Sequence, residues 1–308
     1  MAVAAAAVVD GIRRDDDPAP AATTEEEPHA GAAAALRQLG ARGELILSGE
    51  RCGEERFTLP SLTRDRSDEC GQPAVESPDG EAKARCFEDN VELTLPATRE
   101  PQRLPGCAPA WRPDGTITAA YGDEVVTYRP CRAERRCAET LIARAELERA
   151  ALRHPTVPDR PARLRALVDG IAWLSDTRAA VSISIRLGGR FEGLGPLGAI
   201  AFFDDGRLER TPQYFRLTGG RLASSPRGSY VTQTPDVILR PDGSQLSLPQ
   251  HLRNARDFAW SPDERLLALA TPFAVEVVDV ASLERYDRTG SGLRSVTLPQ
   301  SAARLAWR

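Results

Sequence analysis

Ala259-Trp260-Ser261-Pro262-Asp263-Glu264, followed after Arg265 by the apolar run LLALAT and then by AVEVVDV, reads as strand, tight turn, strand, turn, strand. Pro fixes φ, and Asp bonds its own backbone, so Pro-Asp is turn chemistry between two runs rich in strand formers. The phrase returns at Ala110-Trp111-Arg112-Pro113-Asp114-Gly115, again followed by an apolar run, ITAAY, and a further strand, EVVTYRP. In both copies the Ala-Trp pair reads as a buried innermost strand, with the indole filling space between neighbouring sheets.

Degenerate copies extend the pattern. Pro78-Asp79-Gly80 lies 35 residues before Pro113-Asp114-Gly115, and Pro226-Arg227-Gly228 lies 36 residues before Pro262. Between them, Ala172-Trp173-Leu174-Ser175-Asp176 has lost its Pro but kept Trp173 and Asp176. Repeats at this period signify a solenoid, propeller or array. The longer gaps hold insertions: RAELERAALRH, over 144–154, has helical composition, and GGRFEGLGPLG falls in the gap before Pro226. Leu-Pro pairs at Leu59-Pro60, Leu95-Pro96, Leu248-Pro249 and Leu298-Pro299 read as strand ends that each precede an innermost strand.

The two ends of the chain complement each other. It stops at Leu305-Ala306-Trp307-Arg308, an innermost strand without its turn and later strands. GELILSGER and ERFTLPSL, over 43–51 and 55–62, supply strands without an innermost one. Pairing the ends predicts an all-β, six-bladed propeller over residues 43–308, whose ring closes on Trp307 and leaves no sheet edge open at the junction.

The Trp-Ser-Pro-Asp-Gly phrase, as carried by Trp260-Ser261-Pro262-Asp263 and Trp111-Arg112-Pro113-Asp114-Gly115, resembles the WD40-like or TolB-like β-propellers of bacteria. The resemblance implies a fold and a tendency to bind proteins, with no common reaction, and it transfers no functional residue. The signature positions Pro78, Asp79, Trp111, Pro113, Asp114, Trp173, Asp176, Pro226, Trp260, Pro262, Asp263 and Trp307 are read as structural.

Six cysteines, Cys52, Cys70, Cys86, Cys107, Cys131 and Cys137, fall in the first half of the chain. An even, clustered set indicates disulfides and an oxidising compartment. Repeat symmetry favours Cys52 with Cys70 and Cys86 with Cys107, because loops after second strands and before innermost strands share a propeller face. Cys131 and Cys137 then close a short loop. Zinc is the rival reading, but C-x2-C spacing and a nearby His are lacking.

Residues 1–42 read as an apolar stub and a Pro-, Ala- and acid-rich disordered tether. The stub AVAAAAVV falls short of the roughly 20 residues that span a bilayer. It fits either the remainder of a longer membrane anchor or an Ala-rich leader, and the expected location is extracytoplasmic. The net charge of −4 and the interspersed acids speak against nucleic acid, although Lys83 is the lone lysine and every other basic residue is Arg.

Catalytic motifs are missing from the sequence. His154 and His251 are expected at the surface and His29 in the tether, while Asp204-Asp205-Gly206 reads as a hairpin turn, not a calcium loop. No cofactor or metal is expected. The leading expectation is a monomeric, non-enzymatic propeller that binds a protein or glycan on one face. The alternatives are a glycosidase or lyase with carboxylates converging in the channel, and the sensor domain of an envelope regulator.

Overall fold

The computed structural model describes residues 27–308 apart from 50–53, 68–73, 97, 99, 133–134, 159–160, 162, 189–196, 211–213, 218–220 and 301. Within these, the strands form six antiparallel sheets. The first contains β1 Gly43–Ser48, β2 Glu54–Leu59 and β3 Thr63–Ser67, and takes its remaining member from the end of the chain, β24 Arg304–Trp307. The second contains β4 Val75–Glu76, β5 Lys83–Phe87, β6 Asn90–Thr94 and β7 Gln102–Pro105. The third contains β8 Cys107–Trp111, β9 Ile117–Tyr121, β10 Glu124–Arg132 and β11 Arg135–Ile142. The fourth contains β12 Leu164–Trp173, β13 Arg178–Leu187, β14 Leu197–Asp204 and β15 Arg207–Leu208, with β16 Tyr214–Leu217 also paired to β14. The fifth contains β17 Leu222–Ser224, β18 Val231–Gln233 and β19 Val237–Leu239. The sixth contains β20 Asp257–Trp260, β21 Leu266–Ala270, β22 Val275–Asp279 and β23 Ser295–Leu298.

Strand position explains the residue pattern. All five residues of β21 are buried, because a central strand has a sheet packed on each face and therefore reads as a continuous apolar run. The outer strand β23 alternates exposed and buried residues with period two, as one covered face requires.

The ends of the chain meet in the first sheet. Leu45 pairs with Trp307 and Leu47 with Leu305, and Glu44 and Arg308 exchange backbone hydrogen bonds at 2.8 and 2.9 Å. This junction touches both neighbouring sheets: Leu305 N donates to Asp257 Oδ2 at 2.8 Å in the sixth sheet, and Arg308 pairs with Glu76 in the second.

Part of the expected tether is ordered helix. Residues 27–39 form α1, Glu27–Leu39, whose Ala33, Leu36 and Leu39 share one buried cluster with Val296, Leu298 and Trp307. Alanine's helix propensity and the three-residue spacing of that stripe outweigh the low hydrophobicity that suggested disorder. The expected stub and the tether up to residue 26 lie outside the described residues.

The helical insertion is α2, Arg144–Leu152, with Leu147, Ala150 and Ala151 buried. A third helix, α3 Val280–Thr289, was not anticipated. Asp279 caps it by accepting from Ser282 N at 3.0 Å, and Gly290 ends it at φ 70°. It packs beside the three-stranded fifth sheet, where Leu283 joins Ile238, Leu246 and Leu248. Arg240 fixes the contact by donating to Glu284 at 2.6 Å and Asp287 at 2.8 Å, which raises the pKa of its guanidinium further.

The Leu-Pro phrase does not hold one register. Leu248 and Leu298 precede innermost strands, but Leu59 ends β2 before the outer strand β3, and Leu95 follows β6 before the outer strand β7. A Leu-Pro pair ends a strand because Pro has no N–H for the ladder, whichever strand it is. The phrase therefore marks strand ends and not blade boundaries.

Candidate functional site

The signature residues build the junctions between sheets. At each Pro-Asp turn the Asp carboxylate accepts from a backbone N–H two residues on: Asp79 from Glu81 at 3.0 Å, Asp114 from Thr116 at 2.8 Å and Asp263 from Arg265 at 3.1 Å. Ser261 Oγ donates to Asp263 Oδ1 at 2.7 Å and accepts from Leu266 N at 2.9 Å, and Ser77 makes the same pair of bonds to Asp79 and Ala82. Ser77 leads the causes that hold the Asp79 carboxyl below its usual range. For Asp263, burial pushes upward but the bonds from Ser261 and Arg265 win. Pro78, Pro113, Pro226 and Pro262 occupy the turns themselves, and the fourth-sheet turn, with Asp176, uses Ser175 Oγ to accept from Arg178 N at 3.1 Å.

The tryptophans reach across to other segments. Trp111 Nε1 donates to Val75 O at 3.0 Å, Trp173 Nε1 to Thr118 Oγ1 at 2.9 Å, Trp260 Nε1 to Thr232 Oγ1 at 3.0 Å and Trp307 Nε1 to Arg42 O at 2.9 Å. The first three join a sheet to the one before it.

At the opposite end of the sheets, where innermost strands begin, sits a polar cluster that no motif announced. Arg221 Nη1 donates to both oxygens of Asp257 at 3.0 and 3.1 Å, and also lies 3.3 Å from the carbonyls of Phe258 and Leu305. One arginine thus links the fifth, sixth and first sheets. Asp257 is buried, and its carboxylate accepts from Arg221 Nη1 and from Leu305 N. Nearby in the fold order, Asp169 stands at a bulge in β12 between Val168 and Gly170, accepting from Ser184 Oγ at 2.5 Å. Burial raises its pKa against the opposing pull of Ser184 and Arg186. A bulge re-aims a side chain, which a period-two reading of sequence misses.

The same end carries exposed apolar side chains. Tyr121 follows Ala120, which pairs with Cys107 at the start of β8, and Phe273 lies in the turn after Ala270, which pairs with Asp257 at the start of β20. Tyr121 is 51% exposed and Phe273 88%. Tyr121 ends the second strand β9 and Phe273 lies in the turn between second and third strands, both at the end away from the Pro-Asp turns.

Cys86 and Cys107 form a disulfide between β5 and β8, with Cα atoms 5.0 Å apart. Cys137 is also disulfide-bonded, while the side chains of Cys52, Cys70 and Cys131 lie outside the described residues. His251 is exposed, but His154 is buried, a correction to the surface reading. It ends the α2 insertion, which packs onto the fourth sheet, and its Nδ1 accepts from Thr156 N at 3.2 Å. Asp204-Asp205-Gly206 is the hairpin turn between β14 and β15. Among the described residues no cluster of His, Cys, Asp and Glu is suited to a metal ion, and no helix is long and apolar enough to cross a membrane.

No protein-family model matches the chain, and neither does any curated protein sequence. Solved structures do. The β-propeller domain of Cps50 (Swd1) from Myceliophteria thermophila aligns over 86% of each chain at 10% identity, with a TM-score of 0.50. Hydrazine synthase from Kuenenia stuttgartiensis aligns over 76% of this chain and 88% of its own at 14% identity, with a TM-score of 0.38. With antiparallel, mostly four-stranded sheets in succession and the likeness to the Cps50 (Swd1) propeller domain, the chain has the fold of a β-propeller.

Proposed function

We propose that the six sheets are six blades of one ring, closed where β24 joins β1, and that the ring binds a protein partner without catalysing a reaction. The observation that carries this reading is the placement of Tyr121 and Phe273. Tyr121 and Phe273, exposed at the same end of the third and sixth sheets, are the two apolar contact points this reading gives that face. The Pro-Asp turns at the other end are polar.

The protein is further proposed to be a monomer with the bacterial WD40-like or TolB-like repeat, working outside the cytoplasm and tethered through its N-terminal segment. The Cys86–Cys107 disulfide supports that location. A glycan is the second candidate ligand, because Tyr121 and Phe273 offer ring faces on which a sugar could stack.

The test places a photocrosslinking residue at position 273, at 121, or at 114 on the Pro-Asp end. Adduct of a single partner from 273 and 121, but not from 114, is the expected outcome. Equal labelling from all three, or none, would overturn the choice of face.

A further inference from the structure

Buried apolar clusters join the second sheet to the third, the third to the fourth, the fourth to the fifth, the fifth to the sixth and the sixth to the first. Among the described residues, none joins the first sheet to the second. Strand alternation gives the reason. On β5 and β6, Ala84, Val91 and Leu93 share a cluster with the third sheet, which leaves Arg85, Phe87 and Glu92 on the opposite face. On β1 and β2, Leu45, Leu47 and Phe57 share a cluster with the sixth sheet, and Ile46 lies opposite Arg56 on the other face. The faces left for the junction of these two sheets are therefore largely charged. Arg85 and Arg103 pair with Glu92 at 2.5 and 3.3 Å, and Arg56 with Glu54 at 2.7 Å, each within its own sheet.

The second sheet also carries an acid where a tryptophan joins other sheets together. Glu76 pairs with Lys83 in its ladder as Trp111 pairs with Ile117 and Trp260 with Leu267. In place of an indole bond to the preceding sheet, Glu76 makes an ion pair with Arg308 at the end of the chain. The two side chains are 33% and 44% exposed, so salt screens the pair. Ser224 takes the same position in the fifth sheet, but there Phe202 and Val231 share a buried cluster. The stretches 50–53 and 68–73, ERCG and DECGQP, bring no large apolar side chain to this part of the chain.

The flanking junctions are fastened. Cys86 and Cys107 tie the second sheet to the third, and Leu305 N bonds Asp257 across the first and sixth.

We infer that the first and second sheets meet at a seam that opens and closes in the folded protein, with Glu76 and Arg308 as its latch and ionic strength as its control. Opening uncovers Ile46, which is buried, and the ring of Phe87, over which Arg85 and Arg103 lie. The seam needs only that these two sheets lie side by side, as the bridge from Arg308 to Glu76 places them, and it stands independently of the blade count and of the Tyr121 and Phe273 face.

The experiment is hydroxyl-radical footprinting of the full, oxidised chain at 20 mM and 0.5 M NaCl, read by mass spectrometry at Ile46 and Phe87. Phe57 and Leu93, inside the flanking clusters, serve as controls. High salt should raise labelling of Ile46 and Phe87 about two- to fivefold, the range an exposed ion pair can supply, and leave Phe57 and Leu93 unchanged. Glu76→Gln should raise labelling at the same two positions already at low salt and abolish the salt response. Glu76→Trp, which restores the residue of the other copies, should keep both positions protected at either salt. Salt-independent labelling of the parent, Glu76→Gln behaving as the parent, or a parallel rise at Phe57 and Leu93 would each overturn the proposal. Far-UV circular dichroism of Glu76→Gln, expected to match the parent, separates an opened seam from lost folding, and the salt response of the parent decides without any variant.

Discussion

Trp173 donates its indole N–H to the hydroxyl of Thr118 at 2.9 Å, and that same hydroxyl donates to the carbonyl of Ala110 at 2.9 Å. Thr118 is fully buried and Trp173 nearly so, so one side chain on β9 ties its own innermost strand to that of the next sheet. The arrangement recurs at Trp260 and Thr232, and both threonines pair with the Ala of an innermost strand, Ala110 or Ala223. Where Ala occupies the equivalent place, as at Ala84 opposite Val75, the tryptophan of the next sheet turns instead to a backbone carbonyl.

Thr118→Val should therefore strand a buried indole N–H and cost about 1–3 kcal/mol. Trp173→Phe loses indole packing as well as the bond. In the double variant the loss should be smaller than the sum, by roughly 1 kcal/mol, because each single change removes the same bond. Urea midpoints of the four proteins measure this, and strict additivity would show that the bond contributes nothing.

Asp257→Ala removes the acceptor shared by Arg221 and Leu305 N. Because Asp257 is buried and Arg221 only half covered, about 2–4 kcal/mol should be lost. The effect should appear at the junction of the chain ends, with faster amide exchange at Leu305 and Leu47. Deleting residues 303–308 goes further, exposing the β1 edge, and should give aggregated protein by light scattering. A well-folded monomer after that deletion would contradict closure through β24.

Much of this architecture was legible in the residues, and the reason is local. Pro-Asp-Gly turns and Ala-Trp pairs are fixed by backbone chemistry within a few positions, so Pro113-Asp114-Gly115 and Trp260 state their structure wherever they occur. The site was not legible. Arg221 and Asp257 lie far apart in the chain and meet only because sheets converge, and Tyr121 and Phe273 are single residues at a strand end and in a short turn. Helix α1 is masked by composition: Ala33, Leu36 and Leu39 form a stripe that an Ala-rich background hides. Helix α3 takes its place from the missing fourth strand of the fifth sheet, a defect that no local pattern reveals.

Glu264 occupies the turn position that holds Gly80, Gly115 and Gly228 in the related copies, at φ 60°. Its carboxylate compensates by reaching the neighbouring turn, where Arg227 N donates to it. Burial pushes its pKa up, but bonds from Ser225, Ser229 and Arg227 outweigh that and hold it below the usual glutamate value. Glu264→Gly would relieve roughly 1 kcal/mol of left-handed strain yet lose these bonds, so it should be less stable than the parent at pH 7. With a lowered folded pKa, the carboxylate's contribution is present above the unfolded value near 4.5 and lost as pH falls through the folded one. Glu264→Gln should flatten that acid limb in thermal melts, whereas a parallel limb would assign it to other groups.

His154 titrates in the opposite part of the range. Burial lowers its pKa from 6.5, so the folded state holds a neutral imidazole whose Nδ1 accepts from Thr156 N. Above pH 6.5 neither state binds the proton and the histidine has no effect on the pH dependence. As pH drops from 6.5 toward the folded pKa, the unfolded chain takes up a proton that the folded chain refuses, and stability declines. The melting temperature should thus fall between pH 7 and pH 5, before the turn carboxylates titrate. In His154→Gln that decline should vanish while the acid limb of Glu264 persists. Since α2 carries His154 onto the fourth sheet, amide exchange at Leu147 and Ala151 should quicken at pH 5 in the parent alone; equal exchange in both proteins would place the decline elsewhere.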